Sequence, residues 1–223
     1  MQDVRIFFEK RARAKYVSHL DLMRCLSRAV RRARVPLWFT EGFHPHAYLN
    51  FPRPLPLGQE GLREPLLLRL EQPVPFDALC AGLNKALPEG LRALEAGAAW
   101  GDPAEIALAD YALYFSFLRT EDAQIWLAQA HLALRNGGLQ ATRIGKQGRR
   151  KVEKAVDVSG MTHAWRLEPA REGVALRCTL ACQSERSLNP ALLCGALFAA
   201  AGEPPVWKIA RTALCKADGS PWE

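Results

Sequence analysis

GDPAEIALADYALYFSFL, Gly101 to Leu118, is the stretch on which the fold turns. Its first half, GDPAEIALA (101–109), has the glycine, proline and acidic content of a connector, and YALYFSFL (111–118) has the aromatic and apolar content of a strand. Before it, VRIFFEK (4–10) reads as a strand, and a helix follows from Ser18 to about Ala33, broken by Pro36. LWFT (37–40) and REPLLLRLE (63–71) are strand candidates, PFDALCAGLNKAL (75–87) is a helix ended by Pro88, and LRALEAGAAW (91–100) is a strand. After it the same order begins again. YALYFSFL leads into the helix EDAQIWLAQAHLALR (121–135), whose end is marked by Asn136-Gly137-Gly138. A basic hairpin follows with GKQGRRK (145–151) as its turn, then strands HAWRLEP (163–169) and VALRCTLAC (174–182). The helix NPALLCGALFAAA (189–201), with Pro190 in its first turn, and the strand VWKIARTAL (206–214) complete the series. The economical architecture is α+β: two tandem ferredoxin-like βαββαβ sandwiches, with domains at 1–100 and 110–223 and a connector at 101–109.

The chain of 223 residues is 49% hydrophobic, enough to bury a core. No apolar run approaches the roughly 18 residues of a membrane span, and MQDVRIFFEK lacks the apolar segment of a signal peptide. These features point to a cytoplasmic protein without a membrane partner. Six scattered cysteines in apolar surroundings fit buried thiols better than disulfides.

The net charge of +7 is concentrated at one end. Residues 1–34 carry ten Lys and Arg against three Asp and Glu, and the remaining 189 residues carry twenty of each sign. Such an excess suits a polyanion, most often RNA, because each neutralised phosphate releases counterions. On the first helix, Leu22, Met23, Leu26, Ala29, Val30 and Ala33 recur at helical spacing, while Asp21, Arg24, Arg28, Arg31 and Arg32 fall together on another face. The predicted hairpin offers a second cationic group in Lys146, Arg149 and Arg150. A solvated turn is the plain alternative there.

Ser18-His19-Leu20-Asp21 has the spacing of a capping-box variant. The segment EGFHPHAYLNFPRPLPLG, Glu41 to Gly58, adds Gly42, His44, His46 and prolines 45, 52, 54 and 56. Gly42 can take backbone angles closed to other residues, and the prolines fix several torsions, so the loop is expected to be stiff. Three roles compete for Ser18, His19, Asp21, Gly42, His44, His46 and Gly58: a structural latch joining loop to helix start, contact with RNA or another ligand, and metal or acid–base chemistry. His19 and Asp21 stand two apart on a helix and do not share a face, and no thiolate or carboxylate set completes the histidines. Neither a bound metal nor a cofactor is expected. A hydrogen bond from His19 or Asp21 to the loop is.

SHLDLMRCLSRAVRRARVPL (18–37), EGFHPHAYLNF (41–51) and PLPLG (54–58) together resemble a family of proteins of unknown function linked to radical S-adenosylmethionine enzymes. GKQGRRKVEKAVDVSG, SLNPALLCGAL and KIARTALCK are similar to its later, looser blocks. In that family the domain is fused to, or encoded beside, a cobalamin-binding radical enzyme, so the resemblance implies such an enzyme as partner. The sequence departs from the pattern at Ala47, where a second proline is usual, and at Tyr48, where a lysine is common. These changes remove support for a phosphate contact at the loop's far end.

The chain is not itself a radical enzyme by its cysteines. Their clusters are held by C-x-x-x-C-x-x-C; Cys178 and Cys182 have the first spacing, but Glu185 stands at the third position. Residues 178, 180 and 182 share one strand face, which places both thiols beside a core. No phosphate-binding glycine fingerprint, G-x-S-x-G elbow or H-E-x-x-H occurs. Two functions remain: a non-catalytic accessory module that binds RNA or another anionic substrate, or a metal-independent endoribonuclease-like enzyme, the latter resting on fold analogy.

Overall fold

The computed structural model describes residues 1–99, 101–147 and 150–222, and the chain is α+β. It forms two compact units. The first comprises Met1–Glu105, Arg211–Ala213 and the residues from Pro221; the second comprises Ile106–Ala210 and Leu214–Ser220.

In the first unit the elements are β1 (Gln2–Lys10), α1 (His19–Arg32), β2 (Leu49–Asn50), β3 (Glu60–Leu70), α2 (Phe76–Ala86) and β4 (Leu91–Ala98). Strand β1 pairs antiparallel with both β3 and β4, and β2 pairs antiparallel with β3, giving the order β4-β1-β3-β2. Alternation along β1 sends Val4, Ile6 and Phe8 to one face, where they meet Leu66, Leu68 and Leu70 of β3. Leu22, Leu26 and Val30 of α1 and Leu79 and Leu83 of α2 cover that face. On β1's other face the Phe7 ring is buried, with the Arg63 guanidinium 3.9 Å and the Arg5 guanidinium 4.7 Å from its centroid.

The predicted strand at 37–40 is reduced to isolated bridges, Leu37 with Leu70 and Phe39 with Ala47. Pro36 has no N–H to give a ladder, and Arg34 just before it holds a left-handed φ of 54°. The chain then turns back on itself, Thr40 N–H donating to the His46 carbonyl at 2.9 Å. Trp100, expected in the fourth strand, lies outside the described residues.

The second unit contains β5 (Leu108–Ser116), α3 (Thr120–Asn136), β6 (Gln140–Gln147), β7 (Arg150–Asp157), β8 (Thr162–Ala170), β9 (Gly173–Ala181), α4 (Pro190–Ala201) and most of β10 (Val206–Cys215). Its strand order is β10-β5-β9-β8, with β6 and β7 forming a separate two-stranded ribbon. The stretch 145–151 is mostly ladder rather than turn: pairing runs from Gln140 with Asp157 to Gln147 with Arg150. Ile106 and Ala107 are buried and β5 starts at Leu108, so the connector's end is already part of the packed unit. Leu113, Phe115, Leu176, Leu193 and Leu197 are buried at its centre, and Trp126 packs on Phe115 at 4.5 Å between ring centroids. Asn189 caps α4 by accepting the Ala191 N–H at 3.0 Å, with Pro190 in the first turn. Cys178 and Cys182 are buried and form no disulfide, and burial pushes neighbouring Cys194 up to about 12. A thiol so far from ionising packs as a small apolar group.

Candidate functional site

Helix α1 begins where the sequence places its cap. Ser18 is extended (φ −63°, ψ 161°) and its Oγ accepts the Asp21 N–H at 3.2 Å, satisfying one of the helix's orphan donors. The same hydroxyl donates to Asp21 Oδ2 at 2.7 Å, and Arg24 Nη1 donates to Asp21 Oδ1 at 3.1 Å. These bonds, the Ser18 one foremost, hold the Asp21 carboxyl below the usual carboxylate range. Replacing Ser18 by Ala is expected to lower the unfolding free energy by about 1 kcal/mol, read as a shift in urea midpoint at constant slope.

Asp21 is therefore occupied within the cap and does not reach the loop. The loop meets the helix start differently: the His19 ring stands edge-on to Phe51, 5.1 Å between centroids and 84° between planes. Gly58 N–H donates to the Lys15 carbonyl at 2.9 Å, in the short 3-10 turn Ala12–Tyr16 that precedes the helix. Gly58 takes φ +83°, a value that favours glycine. The expected hydrogen bond from His19 or Asp21 is thus replaced by an aromatic contact and a backbone bond at the loop's end.

His44 and His46 are tied into the loop itself. The His46 imidazole Nδ1 lies 3.0 Å from Thr40 Oγ1 and 3.3 Å from the His44 carbonyl, and the His46 N–H donates to Thr40 Oγ1 at 3.1 Å. Residues 40–46 so form a closed excursion with Gly42, at φ +128°, and Phe43 near its tip. Among the described residues no three His, Cys, Asp or Glu side chains gather as a metal cluster.

The charge on α1 is at the surface. Arg24, Arg28, Arg31 and Arg32 are all exposed, on the side opposite buried Leu22, Leu26, Ala29 and Val30. Leu20, Met23, Arg24, Ser27, Arg28 and Arg31 line a shallow groove along this face. Arg32 Nη2 donates to the Ala86 carbonyl at the end of α2, and the Arg31 guanidinium lies 5.7 Å from the Phe39 ring centroid. Among the described residues the Arg28 side chain has no hydrogen bond or ion pair. Of the ten basic residues in positions 1–34, Arg5 and Lys10 are buried.

Of the second basic group, Arg149 lies outside the described residues. Lys146 and Arg150 belong to β6 and β7, and the ladder sets Arg143 opposite Lys154. Like charges directly across a ladder repel unless an anion lies between them.

A buried polar group under the loop escaped the sequence reading. Arg211 of β10 donates from Nε to Glu64 Oε1 at 2.9 Å, from Nη2 to Glu64 Oε2, and from Nη2 to the Arg53 carbonyl at 2.6 Å. The two side chains are only 2% and 5% exposed. Gly61 is required beside them, because a Cβ there would stand 2.3 Å from Glu64 Cγ. Lys10 is equally buried, its Nζ donating to the Val17 carbonyl at 2.8 Å. Burial pushes its ammonium below the usual lysine value, and the nearby Glu64 charge opposes that shift. Glu64 and Arg211 stand 147 positions apart, so no local spacing could have paired them. The one signal was a charge within each apolar strand pattern.

No helix among the described residues is long and apolar enough to cross a membrane. No curated protein matches the chain. A family model does match, over residues 4–190, and that share of the chain settles its membership: the protein belongs to DUF2344, a family of uncharacterised proteins conserved in bacteria.

Proposed function

We propose that the chain is a non-catalytic module that binds RNA or another anionic substrate and works with a radical S-adenosylmethionine enzyme. The observation that carries the binding half is the exposed arginine stripe of α1, held apart from the helix's buried stripe. Arg28 lacks an ion pair among the described residues, so its charge is available to a ligand rather than already neutralised. The partner enzyme rests on the sequence resemblance alone, most specific over 18–58 and looser in the later blocks.

We read each unit as a ferredoxin-like sandwich. The order β4-β1-β3-β2 with α1 and α2 supports this in the first unit. The order β10-β5-β9-β8 with α3 and α4 supports it in the second, where the β6–β7 ribbon is an insertion after α3.

Retention of labelled cellular RNA by the purified protein, measured across a salt series, tests the binding half. Arg28→Glu with Arg31→Glu should weaken retention about tenfold or more and flatten the dependence on salt by about one to two units of slope. Both side chains are exposed, so the double variant should keep the wild-type melting transition. Equal retention by the variant refutes the reading. Cleavage of the RNA, abolished by His19→Ala, replaces it with the endoribonuclease. Co-purification with a radical S-adenosylmethionine enzyme from the same bacterium tests the partner.

A further inference from the structure

The segments that precede and follow α1 each carry an exposed aromatic ring. Tyr16 is 68% exposed in the turn that leads into α1, with Lys15 Nζ 5.2 Å from its ring centroid. Phe43 is fully exposed at the tip of the closed excursion 40–46. The base of that excursion, Phe39 bridged to Ala47, lies beside Arg31 in the last turn of α1. Tyr16 thus lies in the turn just before the helix, the excursion that carries Phe43 is rooted beside Arg31, and Arg24, Arg28 and Arg31 line the groove.

Neither ring serves the core, whose aromatic members in this unit include Phe8, Phe39, Phe51 and Phe76, with Phe7 and Trp222 buried besides. Exposing a ring at a stiff loop tip forgoes the stabilisation that burying it would give. Its flat face is instead open to another flat, apolar partner. A duplex hides its base faces in the stack and offers only edges and phosphates. A single strand offers both phosphates and free base faces, and proteins that bind it combine a cationic groove with aromatic platforms.

We infer that the α1 surface takes single-stranded RNA, with phosphates along Arg24, Arg28 and Arg31 and bases stacked on Tyr16 and Phe43. This deepens the polyanion reading above and rests on it. The 14-residue helix is about 20 Å long, room for a site of about four nucleotides. Leu20, 64% exposed in the first turn, supplies an apolar patch in the groove against which a sugar or base edge can lie.

The test is fluorescence anisotropy with end-labelled oligoribonucleotides of two to ten nucleotides, a blunt RNA duplex, and inorganic polyphosphate as competitor. Wild-type protein should bind the single strands more tightly than the duplex, with affinity climbing steeply up to about four nucleotides and slowly thereafter. Tyr16→Ala and Phe43→Ala should each weaken single-strand binding about fivefold or more while leaving competition by polyphosphate unchanged. Arg28→Glu with Arg31→Glu should weaken both. Both rings are exposed, so folding is not at stake, and circular dichroism checks it. Duplex bound as tightly as single strand, or full single-strand affinity in both aromatic variants, overturns the stacking inference while the polyanion reading stands. Failure of wild-type protein to bind either RNA or polyphosphate overturns both, and leaves an acidic protein surface as the occupant of the groove.

Discussion

Arg211→Ala is expected to lower the unfolding free energy by about 3–5 kcal/mol, and Glu64→Ala by a similar amount. Either change leaves one charge buried with its partner gone. Arg211→Ala would also withdraw a donor from the Arg53 carbonyl, between Pro52 and Pro54 of the proline loop. The pair itself contributes little net stability, because removing two ions from water costs about as much as their attraction returns. Glu64→Leu combined with Arg211→Met should therefore restore part of what either single change loses, the remainder reflecting the Lys10 ammonium and the Arg53 carbonyl that the pair also serves. Urea titrations of the wild type, the two single variants and the double variant complete the cycle. Single variants that cost less than about 1 kcal/mol, or a double variant as damaged as both singles summed, would show that the pair is not an isolated buried unit.

Trp222→Ala should cost about 3–5 kcal/mol, although Trp222 lies beyond the last strand. Its side chain is 2% exposed, its Nε1 donates to the Asp102 carbonyl at 3.1 Å, and the Arg5 guanidinium lies 5.8 Å from its ring centroid. Truncation removes a large buried ring, strands a carbonyl and uncovers the guanidinium. Trp222→Phe should recover most of the loss, since it keeps the ring and gives up only the N–H bond. A midpoint for the alanine variant within about 0.3 M urea of the wild type would contradict this burial, since a 3 kcal/mol loss at ordinary slopes shifts the midpoint by about 1 M or more.

What the sequence disclosed follows the range of the forces involved. Helix α1 was legible from Ser18 to Pro36 because a cap, a 3.6-residue apolar period and a helix breaker all act within a few residues. Helix α4 was legible for the same reason, from Asn189 and Pro190. The ribbon of β6 and β7 was underestimated because its glycines and lysines lack strand propensity, and cross-strand pairing decides its length. The strand expected at 37–40 failed for the opposite reason: its residues favour a strand, but Thr40 and His46 fold the backbone back before a ladder can extend.

At the candidate site, the arginine stripe was readable as periodicity, and the structure leaves it exposed. The loop's attachment was not. Asp21 bonds within its own cap rather than to the loop, a choice that residue spacing does not encode, and the His19–Phe51 contact joins residues 32 apart. Lys10 was counted with the surface charge, because nothing in a sequence distinguishes a lysine beside solvent from one whose ammonium meets the Val17 carbonyl inside.

The membership of Arg211–Ala213 in the first unit sets an order of events during synthesis. Residues 1–105 leave the ribosome well before Arg211 does, and at ordinary elongation rates the interval is about 5–20 s. Throughout it the Glu64 carboxylate has no guanidinium to meet, and the Asp102 carbonyl has no indole. The nascent first half therefore keeps an open position while Ile106–Ala210, most of the second unit, is translated. Its final locking depends on a strand made after every helix of the protein.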